Sequence, residues 1–143
     1  MTIRKFLGAP YPIVKTPNGL FAQRSGIDQI KADLLQLLLT SPGERVMLPA
    51  YGTPLKRLFF EPNDPTIEDQ ARQMIATAIG VWEPRVIINN IIVSRNIDED
   101  MLHSEDTLEN KEHILYVQID IVDPDDISEV QSLVLFVPLS GEL

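Results

Sequence analysis

Few side chains in this sequence stand where they could do chemistry together. His103 and His113 lie ten residues apart with nothing to set them in ligand spacing, so both read as surface residues and not as a metal pair. Residues 98–106 and 123–126 are rich in carboxylate oxygens and invite calcium. Neither cluster carries the sixth-position glycine or the closing glutamate of an EF-hand, so a solvated charge run is the simpler reading. The chain has no cysteine, which excludes disulfides, thiolate zinc sites and thiol nucleophiles. It also has no glycine-rich phosphate loop, nucleophile elbow or paired-histidine zinc motif. No metal or cofactor is expected.

Two carboxylates can cleave a glycosidic bond when one of them has a raised pKa and serves as general acid. Glu44 and Glu83 are the candidates, because each sits in a segment that reads as ordered. Each also has an arginine at hand, Arg45 beside Glu44 and Arg85 two residues beyond Glu83. A guanidinium lowers a neighbouring carboxyl pKa, the opposite of what a general acid needs. Ion pairing is therefore the expected use of both glutamates, and a cell-wall hydrolase built on them is the rival reading.

The elements that must position these residues follow from periodicity and punctuation. Gly8, Pro10, Pro12, Pro17 and Gly19 keep residues 1–24 extended or turning, as an arm. Ile27, Ile30, Leu34, Leu37 and Leu38 recur at helical spacing, and Ser25 with Asp28 resembles a capping box, so a helix is predicted over 26–39. Pro42 and Gly43 stop it; 44–52 reads as extended chain and 55–60 as a short helical turn. Asp64 as N-cap, Pro65 at the first helical position, and Glu68 and Asp69 in the first turn open a second helix. Its apolar face is Ile67, Ala71, Met74, Ile75 and Ala78. Pro84 forces the residue before it out of helical backbone, which puts Trp82 and Glu83 at the exit. Trp82 is expected to pack where this helix meets the sheet.

Three β-branched runs follow, at 86–95, 114–122 and 133–139, the middle one alternating through Leu115, Val117, Ile119 and Ile121. Between the first two, 96–112 holds seven acids and one lysine and is predicted to be a solvated, mobile loop. Asp123, Pro124, Asp125 and Asp126 make the next connection. The predicted class is α+β, with two main helices packed on a small antiparallel sheet of about three C-terminal strands and an extended N-terminal arm. One domain is expected over 1–143, with the helical part at 25–85 and the sheet at 86–143.

A length of 143 residues with 44% hydrophobic content can supply one sizeable core. No apolar run reaches the length of a signal peptide or a membrane span, which implies a soluble chain made in the cytoplasm. The net charge of −9 divides into +2 over residues 1–85 and −11 over residues 86–143. An acidic half repels a phosphate backbone, and no basic stretch interleaved with aromatics compensates, so nucleic-acid and membrane binding are not expected.

The order LLLTSPGERVMLPAYGTPLKRLFFEPND, a second helix closing in VWEPRV, then strands, resembles the phage baseplate wedge family that includes baseplate assembly protein W. Thr40, Pro42, Gly43, Glu44, Arg45, Pro49 and Gly52, followed by Trp82, Glu83, Pro84 and Arg85, carry the resemblance, which is good over 26–93 and looser beyond. It implies a structural subunit of a contractile-tail or type VI secretion baseplate, assembled in the host cytoplasm, and not an enzyme. It further implies that Glu83, Pro84 and Arg85, with Glu44 and Arg45, attach to the helical core bundle of the wedge. Expected partners are wedge core proteins and the tail sheath, received by the C-terminal strands, with tail tube or hub proteins as further neighbours. The residues alone leave a second option, in which Glu83 and Arg85 pair with Arg45 and Glu44 inside the subunit. The acidic segment 96–112 looks longer than the family's usual connection, and the arm has no matching motif.

Overall fold

The computed structural model describes residues 7–60, 66–95, 114–124 and 126–138. The arm turns back on itself: β1 (Leu7–Gly8) pairs antiparallel with β2 (Arg24–Ser25), and Lys15 bridges Phe21 across a turn closed by the Gly19 N–H donating to the Thr16 carbonyl at 2.9 Å. It is a small hairpin, because the glycine at 19, with φ 77°, lets the chain reverse where prolines alone would have kept it extended.

The first helix, α1 (Ile27–Leu39), begins without the predicted capping box. Its N-cap is Gly26 at φ 68°, with no side-chain hydrogen bond. Ser25 is held in the β1–β2 pairing, so it cannot take the capping position, and a glycine makes the sharp entry instead. Ile30, Leu34, Leu37 and Leu38 are buried as expected, together with Gln29 and Ala32. Thr40 ends the helix in extended backbone, its hydroxyl donating to the Gln36 carbonyl at 2.7 Å.

Residues 41–53 are not the extended chain predicted for 44–52. The Gly43 N–H donates to the Pro49 carbonyl at 2.7 Å, and the Thr53 N–H returns to the Thr40 carbonyl at 2.8 Å. Gly43 and Gly52 take φ values of 92° and 123°, the left-handed bends that coil the segment against the end of α1. A 3-10 helix (Pro54–Phe60) follows and buries Leu55 and Leu58.

The second helix, α2 (Thr66–Trp82), buries Ile67, Ala71, Ile75, Ala78 and Ile79, with Met74 partly buried. Its predicted N-cap, Asp64 and Pro65, lies outside the described residues. The exit falls as predicted, the Glu83 N–H closing the last turn on the Ile79 carbonyl at 2.8 Å.

Strands β3 (Ile87–Ser94), β4 (Ile114–Asp123) and β5 (Asp126–Pro138) form an antiparallel meander in that order. Leu115, Val117, Ile119 and Ile121 of β4 are fully buried against the helices, the alternation of a strand with one face on a core. The last strand starts at Asp126, well before the predicted 133. Ser128, Glu129, Gln131 and Ser132 break the apolar run, yet 130–132 still pair with β4 because the turn after Asp123 is tight and the strand lies at the sheet edge. The acidic segment 96–112 and both histidines lie outside the described residues.

Candidate docking site

Pro84 fixes the departure of the chain from α2 and leaves a charged residue on either side. Glu83 is only 5% exposed, and a buried carboxylate needs a partner. Arg85 supplies it across the proline: Nε donates to Oε1 and Nη2 to Oε2, each at 2.5 Å. The planar fork matches both oxygens, the strongest arrangement such a pair can take. Arg85 Nη2 also donates to Asp33 Oδ2 on α1, at 2.6 Å. These hydrogen bonds, with Glu83 foremost, push the Arg85 guanidinium pKa further above its already high value, so its charge is permanent.

Asp33 is bound in turn. Its Oδ1 accepts from Gln29 Nε2 at 2.9 Å, and the same nitrogen donates to the Ala9 carbonyl of the arm at 3.0 Å. A chain of polar contacts thus runs from the arm through α1 to the exit of α2.

Glu44 and Arg45 do not pair with Glu83 and Arg85, so that option is corrected. Glu44 is exposed and accepts from Lys56 Nζ at 2.8 Å, a contact that lowers its carboxyl pKa. The Arg45 guanidinium lies over the Tyr51 ring, 4.0 Å from its centroid, a cation–π contact. Tyr51 meets Trp82 edge to face at 5.3 Å and 67°. Burial pushes the Tyr51 hydroxyl pKa up, helped by the charges of Asp33 and Glu83 and opposed by Arg45. The coiled loop therefore reaches the exit through Tyr51 and Trp82. Trp82 is half-buried and packs on the loop, in addition to meeting the core. With α2, the loop encloses an apolar groove of about 570 Å³ lined by Pro42, Ala50, Met74, Ala78, Val81 and Trp82. At the loop's turn Val46 and Met47 are 92% and 93% exposed.

Sequence reasoning found the two charges flanking Pro84 but missed Asp33, Gln29 and Tyr51. The one available signal was an acid at i+4 from a glutamine on a helix otherwise dominated by leucine, a spacing that puts both on one face. As a hydrolase pair, Glu44 and Glu83 are poorly arranged. One carboxyl has a lowered pKa, and the other has both oxygens occupied by a guanidinium, whereas a general acid must hold a proton and release it. Among the described residues there is no group of three metal-ligating side chains, and no helix is long and apolar enough to cross a membrane.

The described residues form a two-helix body on a three-stranded meander, with a charge-locked proline exit beside a glycine-bent loop. The chain belongs to the family described as baseplate wedge protein gp25, which it matches over residues 24–122. It is 31% identical over 75 residues to baseplate protein W of Escherichia phage P2; the matched stretch is 52% of this chain and 65% of that protein. Its fold resembles a Geobacter sulfurreducens protein provisionally named a tail lysozyme, at TM-score 0.67 and 22% identity over 84% of this chain and 96% of that one. It also resembles a chain of the anti-feeding prophage baseplate, at TM-score 0.61 and 17% identity over 94% and 86%. The chain is thus a member of a baseplate wedge protein family, and it spans less than two thirds of the phage P2 relative it matches.

Proposed function

We propose that this subunit docks on the wedge core bundle through Glu83, Pro84 and Arg85 together with the loop carrying Glu44 and Arg45, and that its C-terminal sheet then receives the first ring of tail sheath. The observation that carries the docking reading is the bidentate Glu83–Arg85 pair tied to Asp33. It fixes an exposed proline and its surroundings before any partner arrives, and preorganisation reduces the entropy lost on binding. The exposed Val46 and Met47 and the apolar groove beside Trp82 supply the desolvating contact that a charge pair alone does not.

For the sheath, the two edges of the sheet differ. Arg72 Nε donates to the Ile91 carbonyl of β3, and Glu68 accepts from the Arg95 N–H just beyond it, both at 3.2 Å. These contacts tie the β3 side to α2. Strand β5 has β4 as its only strand neighbour among the described residues; Lys31 Nζ of α1 donates to its Gln131 Oε1 at 2.8 Å, but it still exposes Ile127, Val130 and Val134. Strand addition at β5 therefore favours this edge, with backbone hydrogen bonds giving affinity.

The role is structural and non-catalytic in this reading. The hydrolase alternative draws on Glu44 and Glu83, whose settings oppose acid catalysis. A turbidity assay on purified cell walls is expected to show no clearing; clearing abolished by Glu83→Gln would restore the alternative. Co-purification of the tagged subunit with wedge core proteins of the same particle tests the docking reading, and failure to co-purify while folded would overturn it.

A further inference from the structure

We propose that Gln29 and Asp33 are positioning residues through which the N-terminal arm sets the docking geometry of Arg85. The inference rests on the reading that Glu83, Pro84 and Arg85 form the docking group. Asp33 uses its two oxygens in different directions, Oδ2 toward Arg85 at 2.6 Å and Oδ1 toward Gln29 at 2.9 Å. The Gln29 nitrogen that meets Asp33 also meets the Ala9 carbonyl at 3.0 Å. Both of these partners are acceptors, so only the amide nitrogen can face them, and the orientation of the Gln29 side chain is settled.

That orientation leaves Gln29 Oε1 buried without a hydrogen-bond partner. An orphaned acceptor is unfavourable, and an apolar side chain of the same shape would avoid it. What the amide contributes is therefore its two donated bonds, one to the arm and one to the residue that holds Arg85. The arm backbone lies directly on this amide: a Cβ at Gly8 would stand 2.6 Å from Gln29 side-chain atoms. A cleft of about 660 Å³ is walled by Leu7, Tyr11 and Ile13 on the arm side and by Asp33, Gln36 and Arg85 on the other, so arm and guanidinium share one surface.

The consequence is a relay. Seating the arm fixes Gln29, which fixes the Asp33 carboxylate, which together with Glu83 sets the plane of the Arg85 fork. The family match begins at residue 24, so most of the arm lies outside the matched region, and the relay couples a feature of this chain to the docking group.

The test uses the full chain and the purified wedge core complex of the same particle. Gln29→Met keeps shape and removes both donated bonds, while Asp33→Asn keeps an acceptor for Gln29 and presents an amide to Arg85. Hydrogen exchange over residues 7–25 and affinity for the wedge core are measured with the melting temperature. Gln29→Met is expected to raise arm exchange and to weaken wedge binding, each by about tenfold, the scale of one charge-assisted hydrogen bond. Asp33→Asn should weaken binding similarly with a smaller effect on the arm. Deleting residues 1–9, which removes the Ala9 carbonyl, should reproduce the binding loss even if Gln29→Met does not fold. A freed arm with unchanged binding, or unchanged arm exchange in Gln29→Met, overturns the relay. If Arg85→Ala, folded, binds as tightly as the wild type, the docking reading falls and the relay with it. If Arg85→Ala is impaired while Gln29→Met and the deletion are not, only the relay falls.

Discussion

At the scale of single residues, Glu83 and Arg85 belong to the fold as well as to any interface. Removing one member of a buried pair costs about 3–5 kcal/mol, but the Arg85 side chain keeps 32% of its exposure and solvent screens what remains. Arg85→Ala is therefore expected to destabilise the chain by about 2–3 kcal/mol, in place of the unchanged melting that a purely interfacial arginine would give. Glu83→Gln combined with Arg85→Ala should recover part of that loss, since the buried Glu83 charge is no longer left unpaired and only the partly exposed Asp33 carboxylate is; urea titration of both variants checks this. Tyr51 gives a pH-dependent test. Its pKa is raised above the ordinary value of 10.0, so the unfolded chain releases this proton first, and the stabilisation present below pH 10 is lost as pH rises through the folded value. Tyr51→Phe should flatten the alkaline fall in stability, and an unchanged fall would contradict the assignment. The charges two residues apart across Pro84 were readable in sequence. Asp33, 52 positions from Arg85, was not, because only the packing of α1 against the exit brings them together.

At the scale of elements, the regular pieces were the readable ones. Helical spacing gave both helices, and strict alternation gave β4, because in each case a single periodicity decides which face is buried. The loop 41–53 and the first half of β5 were misread for the same reason: glycine-enabled bends and edge pairing leave no apolar period. Gly52 carries the loop's geometry, since a Cβ there would lie 2.4 Å from the Thr40 carbonyl at a φ of 123°. Gly52→Ala is expected to cost about 1–3 kcal/mol. Gly80, within α2, is the opposite case, because a Cβ added there would meet nothing within 4 Å. Gly80→Ala should stabilise by about 0.4–1 kcal/mol, through helix propensity and a less flexible unfolded chain. Denaturant midpoints of the two variants must move in opposite directions.

At the scale of the whole molecule, the proposed docking and sheath contacts fall on separate elements. The loop, Trp82 and the Pro84 exit form one face, and the β5 edge another. Lysine on an edge strand opposes further strand addition, so Val130→Lys with Val134→Lys should leave stability within about 1 kcal/mol, both side chains being surface-exposed, while abolishing sheath recruitment in an assembly assay. Trp82 is the chain's single tryptophan and stands at the centre of the proposed wedge-facing surface, which makes the central claim directly measurable. With 5-hydroxytryptophan placed at position 82 and excited where the partners' tryptophans do not absorb, acrylamide quenching is compared between the free subunit and its complex with the wedge core. Docking through this face predicts that quenching falls sharply on complex formation; unchanged quenching in a complex that demonstrably sediments together would contradict it.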